Sequence, residues 1–118
     1  MEISVVTVTC RDLYLADQMV ALKNQTFRDF EWLIVDDLYE IRKQEIKDMI
    51  GGTLVYQHLP PSKINDYFSS VPALNTALTY ARGELIFFMV DYIIPHQDCL
   101  ARHWELYKTY PKSYFSGL

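Results

Sequence analysis

The sequence predicts an α/β fold in which a mostly parallel sheet is covered by helices on both faces. Three observations lead to this class. Apolar or β-branched runs alternate with helical patterns four times along the 118 residues. Glycine or proline residues separate several of these segments. The apolar runs at residues 30–35 and 85–90 are each followed directly by aspartate, at the position where an open α/β sheet binds ligands.

Composition and charge limit the function classes. Half of the residues are hydrophobic and 14% are aromatic, which excludes a disordered chain and fits one domain spanning residues 1–118. The formal net charge of −4 and the pI of about 5.2 disfavour a nucleic-acid-binding surface. No apolar run reaches membrane-spanning length and no signal-peptide pattern is present. We therefore expect a cytoplasmic protein without a transmembrane segment, and peripheral association with a membrane stays open.

The cysteines and histidines show no metal-binding pattern. Cys10 and Cys99 lie far apart and lack CxxC spacing, so reduced thiols are the simpler interpretation and a disulfide is the alternative. His58, His96 and His103 also lack the spacing of metal ligands. The sequence predicts no site built on these side chains.

The first three elements form a strand–helix–strand unit. Residues 3–9 are β-branched nearly throughout and predict a buried strand. Asp12 is a plausible N-cap of the helix that follows and that ends near Asn24. Residues 30–35 are almost uniformly apolar, which indicates a central strand that is covered on both faces. This order predicts a right-handed crossover and parallel pairing of the two strands.

The rest of the chain continues the alternation. The predicted elements are a surface helix at residues 40–50, a short strand at 53–59, a helix at 71–81, a second central strand at 85–90 and a last helix from Pro95 to about residue 107. We expect apolar side chains to face the sheet. These are Leu15, Ala16, Met19, Val20 and Leu22 in the first helix, Ile41, Ile46, Met49 and Ile50 in the second, Leu74, Ala77, Leu78 and Ala81 in the third, and Trp104 and Tyr107 in the last.

Acidic residues follow two of these strands. If the strands pair in the order 3-2-1-4, a ligand crevice opens beside Thr9, the pair Asp36 and Asp37, and Asp91. Carboxylates at such an edge suit ribose hydroxyls, base N–H groups or a divalent cation. Each acid can instead cap a helix or bond a turn, and this alternative stays open.

Several segments stand in the order known from one enzyme family. They are residues 5–9, residues 24–37 with the run Asn-Gln-Thr…Phe-Glu-Trp…Val-Asp-Asp, residues 75–78, residues 81–86 with Ala-Arg-Gly-Glu, and Asp91 followed by residues 95–100. The chain resembles the amino-terminal, nucleotide-binding half of a family 2 glycosyltransferase of the GT-A fold. The resemblance covers nearly the whole chain and implies a Rossmann-like, three-layer α/β/α sandwich.

The resemblance implies a function and roles for residues. It implies an inverting enzyme that takes a nucleoside-diphosphate sugar and transfers the glycosyl group to a saccharide, lipid or protein acceptor. Thr9 would contact the nucleoside, and Asp36 and Asp37 would bind the base and ribose. Asp91 falls in the region of the family's Asp-x-Asp element, which holds Mn²⁺ or Mg²⁺ on the diphosphate.

Further nucleotide-sugar contacts are expected from Asn75, in one of the matching segments, and from two basic residues. Leu74 stands where many family members carry an arginine, so Lys63 and Arg11 become candidates for phosphate contact. A solvated lysine in a polar loop is the alternative for Lys63.

The chain departs from the family at two points. Val90 and Tyr92 occupy the positions of the outer aspartates, which leaves Asp91 alone, although a single carboxylate can still hold Mg²⁺. The family's fold also continues into an acceptor-binding half and a general base, which we do not expect before Leu118. We therefore expect a part of a longer fold, and a protein that binds the nucleotide-sugar without transfer is an alternative.

Two other classes stay open. Val35-Asp36-Asp37 together with Asp91 loosely matches the acidic pair and phospho-acceptor of a receiver domain. Against this interpretation, the pair follows the second strand, whereas a receiver carries it after the first. An α/β interaction domain without catalytic activity is the remaining alternative.

Overall fold

The computed structural model of the chain describes residues 2–10, 15–61 and 70–110. Its elements follow the predicted order: β1 (Ile3–Thr9), α1 (Leu15–Lys23), β2 (Phe30–Asp36), α2 (Tyr39–Ile50), β3 (Tyr56–Leu59), α3 (Ser70–Tyr80), β4 (Leu85–Phe88) and α4 (Cys99–Thr109). Arg11, Asp12 and Lys63, for which the sequence predicted roles, lie outside the described residues.

The four strands form one parallel sheet in the order β3-β2-β1-β4, as predicted. The longest pairing joins β1 to β2, from Ile3 opposite Phe30 to Thr9 opposite Asp36. The two strands therefore end at the same level. Since β4 pairs with the other side of β1, the chain reverses direction across the sheet between β1 and β4, which opens a crevice at their carboxyl ends.

Alternating side chains bury both faces of the sheet, which gives the predicted three layers. On one face, odd-numbered residues of β1 and even-numbered residues of β2 pack against α1, α2 and α4. The buried members of this core are Ile3, Val5, Leu15, Leu22, Phe30, Trp32, Ile34, Ile46, Ile50, Met89 and Leu100. On the other face, Val6, Leu33 and Val35 pack against Ala77 of α3. Because successive side chains of a strand point to opposite faces, the position of each residue in the strand determines which face of the sheet it lies on.

Three predicted boundaries were wrong. β3 begins at Tyr56 because Thr53 still completes the end of α2, where its N–H donates to the Ile50 carbonyl at 3.1 Å. β4 ends at Phe88 and is an edge strand of the described sheet, so the prediction of a second central strand at 85–90 was wrong. The last helix begins at Cys99 and not at Pro95.

The late start of α4 has a tertiary cause in Gln25. This buried side chain donates from Nε2 to the His96 carbonyl at 2.8 Å and accepts from the Leu100 N–H at 3.2 Å. Thr26 adds a bond from its N–H to the Gln97 carbonyl at 2.9 Å. The Asn-Gln-Thr segment therefore holds the turn that precedes α4, and the exposed His96 lies in that turn.

The predicted helix faces were correct at most apolar positions but wrong at four of them. Ala16 is exposed and Val20, Ile41 and Leu78 are at least half exposed, whereas the polar neighbours Gln18, Arg42 and Thr76 are buried. Trp104 packs between Phe27 and Tyr107, with ring centroids 5.7 and 5.3 Å away, as expected for packing residues. The predicted faces were chosen by apolar side chains alone, so they left out the polar residues that also point inward.

Both cysteines have free thiols, as the simpler interpretation predicted, with Cys10 exposed and Cys99 buried. Burial raises the pKa of the Cys99 thiol. Among the described residues, no helix combines the length and apolar character that a membrane crossing requires.

A buried glutamate ties the centre of the sheet to the turn between α3 and β4. Glu31, on the α3 face of β2, accepts hydrogen bonds from the Ser4 hydroxyl at 2.7 Å and from Arg82, by its N–H at 2.7 Å and Nε at 2.9 Å. Burial by itself would raise the pKa of this carboxyl, but these hydrogen bonds and the Arg82 charge together lower it. Gly83 follows, and its N–H donates to the Ser4 hydroxyl at 2.7 Å.

Gly83 is required at this turn by close packing and not by its backbone angles. A Cβ at this position would lie 2.4 Å from the Ser4 nitrogen and 2.6 Å from the Ile3 carbonyl carbon. Both are backbone atoms of β1, so they cannot move aside as a flexible side chain would. The turn therefore lies directly on the central strand.

We predict that Gly83→Ala lowers the free energy of unfolding by about 1–3 kcal/mol, the usual cost of overpacking. Urea unfolding monitored by circular dichroism measures the change. Gly52→Ala is the matched control, because a Cβ at Gly52 meets nothing within 4 Å. We expect the control to change stability by less than about 0.5 kcal/mol. Equal effects of the two substitutions would contradict the close approach of this turn to β1.

Candidate functional site

Thr9 is the residue at which the predicted site comes together. Its carbonyl accepts a hydrogen bond from the Asp37 N–H at 3.0 Å, which extends the β1–β2 ladder by one residue. Its hydroxyl donates to Oδ2 of Asp91 at 3.0 Å. Because β1 lies between β2 and β4, Thr9 contacts the segments on both sides. The structure thus brings the strand ends together at one edge, as the topology predicted.

Asp36 is buried and fully used by contacts within the protein. Its carboxylate accepts from the Leu38 N–H at 2.9 Å and from Arg42, by Nε at 2.9 Å and Nη2 at 2.8 Å. The Nε2 atom of His58 lies 2.9 Å from Oδ2. A carboxylate has about four lone-pair positions, and these contacts occupy them. The sequence-based prediction that Asp36 contacts the nucleoside is therefore not supported, because this side chain points to the α2 layer.

The electrostatics of this cluster agree with its geometry. Burial alone would raise the pKa of the Asp36 carboxyl. The hydrogen bonds from His58, Arg42 and the Leu38 N–H outweigh that effect, so the pKa lies below its ordinary value and the side chain is ionised. Arg42 is buried as well, so this is an ion pair within the core. The cluster fixes the turn that carries Asp37.

Asp37 occupies a different environment from its neighbour. It is half-buried, and its carboxylate makes no hydrogen bond or ion pair within the part of the chain that the structure describes. Its backbone is held by the bond to Thr9. Of the two adjacent acids, Asp37 is therefore the one whose carboxylate can face a ligand at the edge of the sheet.

Asp91 lies in the turn that follows β4 and is 7% exposed. One of its oxygens takes the Thr9 hydroxyl. The turn is closed by a bond from the Ile93 N–H to the Val90 carbonyl at 3.1 Å. Both carbonyls of Val90 and Ile93 also accept from Nε2 of Gln18, at 2.7 and 2.8 Å. Asp91 is thus held at the crevice by β1 and by α1.

The side chains near Asp91 limit the kind of metal ion that fits. No group of three or more His, Cys, Asp or Glu side chains that could bind a metal occurs among residues 2–10, 15–61 and 70–110. Mg²⁺ commonly uses one or two carboxylates together with waters and substrate phosphates. The single carboxylate of Asp91 therefore fits an ion that arrives with a diphosphate.

The remaining predicted residues do not join this cluster. Asn75 is exposed on α3, where its carbonyl accepts from the Thr79 hydroxyl at 2.8 Å, and no described contact links it to Thr9 or Asp91. Arg11 and Lys63 lie outside the described residues, so their predicted phosphate contacts stay predictions.

Three polar residues at this edge were missed from the sequence. Arg42 and His58 were assigned to a solvated helix surface and to no role, yet both contact Asp36. Gln18 was overlooked although it lies three residues after Leu15 and four before Leu22, which is the spacing of a buried helix face. That spacing is a usable signal. Arg42 carries the same signal, since it lies four residues before Ile46 and eight before Ile50. His58 offered none, because only the sheet topology brings β3 and α2 to the same aspartate.

The fold is shared with solved structures of S. aureus TarS, a glycosyltransferase of the GT-A fold. TarS 1-349 in complex with UDP-GlcNAc aligns with a TM-score of 0.75 and 23% identity over 94% of this chain and 32% of that chain. The complex of TarS 1-349 with UDP aligns with a TM-score of 0.73 and 24% identity, over 94% of this chain and 33% of that chain. TarS 1-349 alone aligns with a TM-score of 0.75 and 20% identity, over 100% of this chain and 39% of that chain.

The likeness to TarS establishes the fold. The chain has the α/β architecture of an amino-terminal GT-A half, as the resemblance in sequence implied. It spans about a third of the length of the TarS 1-349 chains. No protein-family model matches the sequence, and no curated protein matches it.

The Asp36 cluster makes stability depend on pH. Because the pKa of Asp36 is lowered by folding, its contribution is complete above the ordinary aspartate range of about 4 and is lost as the pH falls through the lowered pKa. We predict that Asp36→Asn costs about 3–5 kcal/mol at pH 7, because the buried Arg42 guanidinium loses the opposite charge of this carboxylate. Urea unfolding measures the free energy of unfolding of both proteins. The difference between wild type and Asp36→Asn should be smaller near pH 3 than at neutral pH.

Glu31 also has a lowered pKa, but it is present in both proteins, so its contribution cancels from the difference. Asp37→Asn is the matched control and should change stability by less than about 0.5 kcal/mol at pH 7. A gap between wild type and Asp36→Asn that stays constant with pH would rule out the ionised pair.

Proposed function

We propose that this chain is the nucleotide-sugar-binding part of a glycosyltransferase. The observation that carries the proposal is the position of Thr9, which bonds both the Asp37 backbone and the Asp91 carboxylate at the carboxyl edge of the sheet. This edge is where open α/β sheets bind nucleotides. Support comes from the fold shared with TarS, whose structures include complexes with UDP-GlcNAc and with UDP.

Asp37 is the residue to which we assign recognition of the nucleoside. Its half-buried carboxylate can accept from a base N–H or a ribose hydroxyl, and a charged acceptor makes a stronger hydrogen bond than a neutral one. Asp36, Arg42 and His58 keep the turn rigid behind it. The adjacent acids therefore have different roles: Asp36 fixes the turn through its contacts within the protein, and Asp37 binds the ligand.

Asp91 is the residue that would hold a divalent cation. When bound, Mn²⁺ or Mg²⁺ would neutralise charge on the diphosphate that leaves as the glycosidic bond breaks. The Thr9 hydroxyl, by donating to Oδ2 of Asp91, orients this carboxylate. The protein's own contribution on this side of the crevice is thus a fixed and ionisable oxygen ligand.

Glycosyl transfer with inversion to an acceptor, in the manner of the family 2 enzymes, is the activity we propose for the whole protein. The alternative is a protein that binds the nucleotide-sugar without transferring the sugar. Release of UDP from UDP-GlcNAc in the presence of candidate acceptors distinguishes the two. Saturable binding without release would favour the second.

We predict that UDP or GDP binds the 118-residue chain more tightly with Mn²⁺ than without it. Isothermal titration calorimetry with each nucleotide, with and without Mn²⁺, measures both affinities. Asp37→Asn should weaken nucleotide binding by about tenfold, which corresponds to about 1.4 kcal/mol, because a charged acceptor is lost.

Asp29→Asn is the matched control for this measurement. It makes the same change of charge at an exposed residue that precedes β2, at the opposite end of the strand. We expect its affinity to equal that of wild type. If neither nucleotide binds wild type, or if both substitutions weaken binding equally, the proposed site is wrong.

A further inference from the structure

Gln18 is a polar side chain in the middle of the core, and all of its amide hydrogens are used. It is fully buried on α1. Its Nε2 donates to the carbonyls of Val90 and Ile93, at 2.7 and 2.8 Å, and its Oε1 accepts from the Thr7 hydroxyl at 3.3 Å. A leucine would fill a similar volume without burying an amide. The reason for an amide at this buried position therefore lies in the two carbonyls to which it donates.

Those two acceptors enclose Asp91. Val90 precedes it by one residue and Ile93 follows it by two. β4 has already ended at Phe88, and the last ladder bond to β1 is from the Met89 N–H to the Val6 carbonyl at 2.8 Å. Beyond that point the backbone has left the sheet. Gln18 supplies the next hydrogen bonds to this turn, in the place of a neighbouring strand.

Gln18 is itself held from the sheet. The Trp32 Nε1–H donates to the Thr7 hydroxyl oxygen at 3.0 Å, and the Thr7 hydroxyl donates to Gln18. Trp32 and Thr7 lie on β2 and β1, on the face that packs against α1. The direction of each bond orients the Gln18 amide, so that its NH₂ group and not its oxygen points at the turn. Buried side chains that are connected and satisfied in this way have one arrangement.

We propose that Gln18 is a positioning residue for Asp91. It fixes the backbone of the turn at residues 90–93, while the Thr9 hydroxyl fixes the carboxylate, so that Asp91 would be held in one orientation for a cation on a diphosphate. The inference rests on the proposed function, and it adds a residue of the helix layer that no motif marks. Groups that orient a metal ligand commonly change metal affinity by about 10–100-fold when they are lost.

The test compares two buried glutamines. Gln18→Met keeps the volume but removes both donors to the Asp91 turn. Gln25→Met is the matched control, since Gln25 is also buried and also donates to a carbonyl in the segment before α4, that of His96, but not to the turn around Asp91. For each full-length variant and for wild type, calorimetry measures the affinity for UDP with Mn²⁺ and without metal.

We expect Gln18→Met to lower the affinity for UDP with Mn²⁺ by about tenfold or more and to leave the metal-free affinity within about twofold of wild type. Gln25→Met should leave the ratio of the two affinities unchanged. A general loss of stability would not separate the two conditions in this way. An unchanged ratio in Gln18→Met, or an equal change in both variants, overturns the inference.

A second variant and a second measurement cover the case in which Gln18→Met does not fold. Gln18→Glu has the same length but offers one hydrogen to the two carbonyls when protonated and none when ionised, so we expect it to lose Mn²⁺-dependent affinity as well. Hydrogen exchange of the Ile93 amide, followed by NMR without ligand, should be faster in Gln18→Glu and unchanged in Gln25→Met. Equal exchange in Gln18→Glu and wild type overturns the inference.

Failure of the inference and failure of the proposed function give different results. If wild type binds UDP equally well with and without Mn²⁺, the metal role of Asp91 is wrong, and the role of Gln18 is wrong with it. If wild type shows the metal effect and Gln18→Met keeps it in full, only the inference fails.

Discussion

The hydrogen bonds of Thr9 are the contacts on which the carboxyl edge of this sheet depends. The carbonyl of Thr9 continues the ladder towards β2, and its hydroxyl reaches the carboxylate that follows β4. Both contacts require β1 to be central and to end level with β2, opposite Asp36. The register of the β1–β2 pairing therefore determines where both acidic segments lie. A shift by one residue would turn every side chain of β1 to the other face.

The same period of two explains why adjacent acids have different roles. Asp36 is the last residue of β2 and points to the face covered by α2, where Arg42 and His58 meet it. Asp37 follows the strand and keeps only its backbone in the ladder. An unpaired carboxylate buried at the first position would be very costly, whereas a paired one is stable and rigid. The turn is held by Asp36, whose carboxylate is bonded within the protein.

Buried polar side chains hold the segments that leave the sheet. Glu31 holds the turn between α3 and β4, Gln25 holds the turn before α4, and Gln18 holds the turn that contains Asp91. Each of these turns lies where strand pairing cannot supply partners for the backbone. A satisfied side chain in the core substitutes for the missing ladder, since backbone groups away from water need a partner. Hydrogen bonds from buried side chains thus fix the backbone of these turns.

The sequence by itself determined the class of fold and, once the strand order 3-2-1-4 is assumed, the edge at which Thr9, Asp37 and Asp91 meet, because periodicity, short apolar runs and crossover rules are local or topological. It did not determine the strand order itself, which of two adjacent acids is anchored, or that Gln18, Glu31, Arg42 and His58 make polar contacts within the protein. Those outcomes depend on partners 6 to 75 residues away along the chain. Only the tertiary structure brings such residues together, since a polar side chain enters the core where a specific partner balances the loss of water.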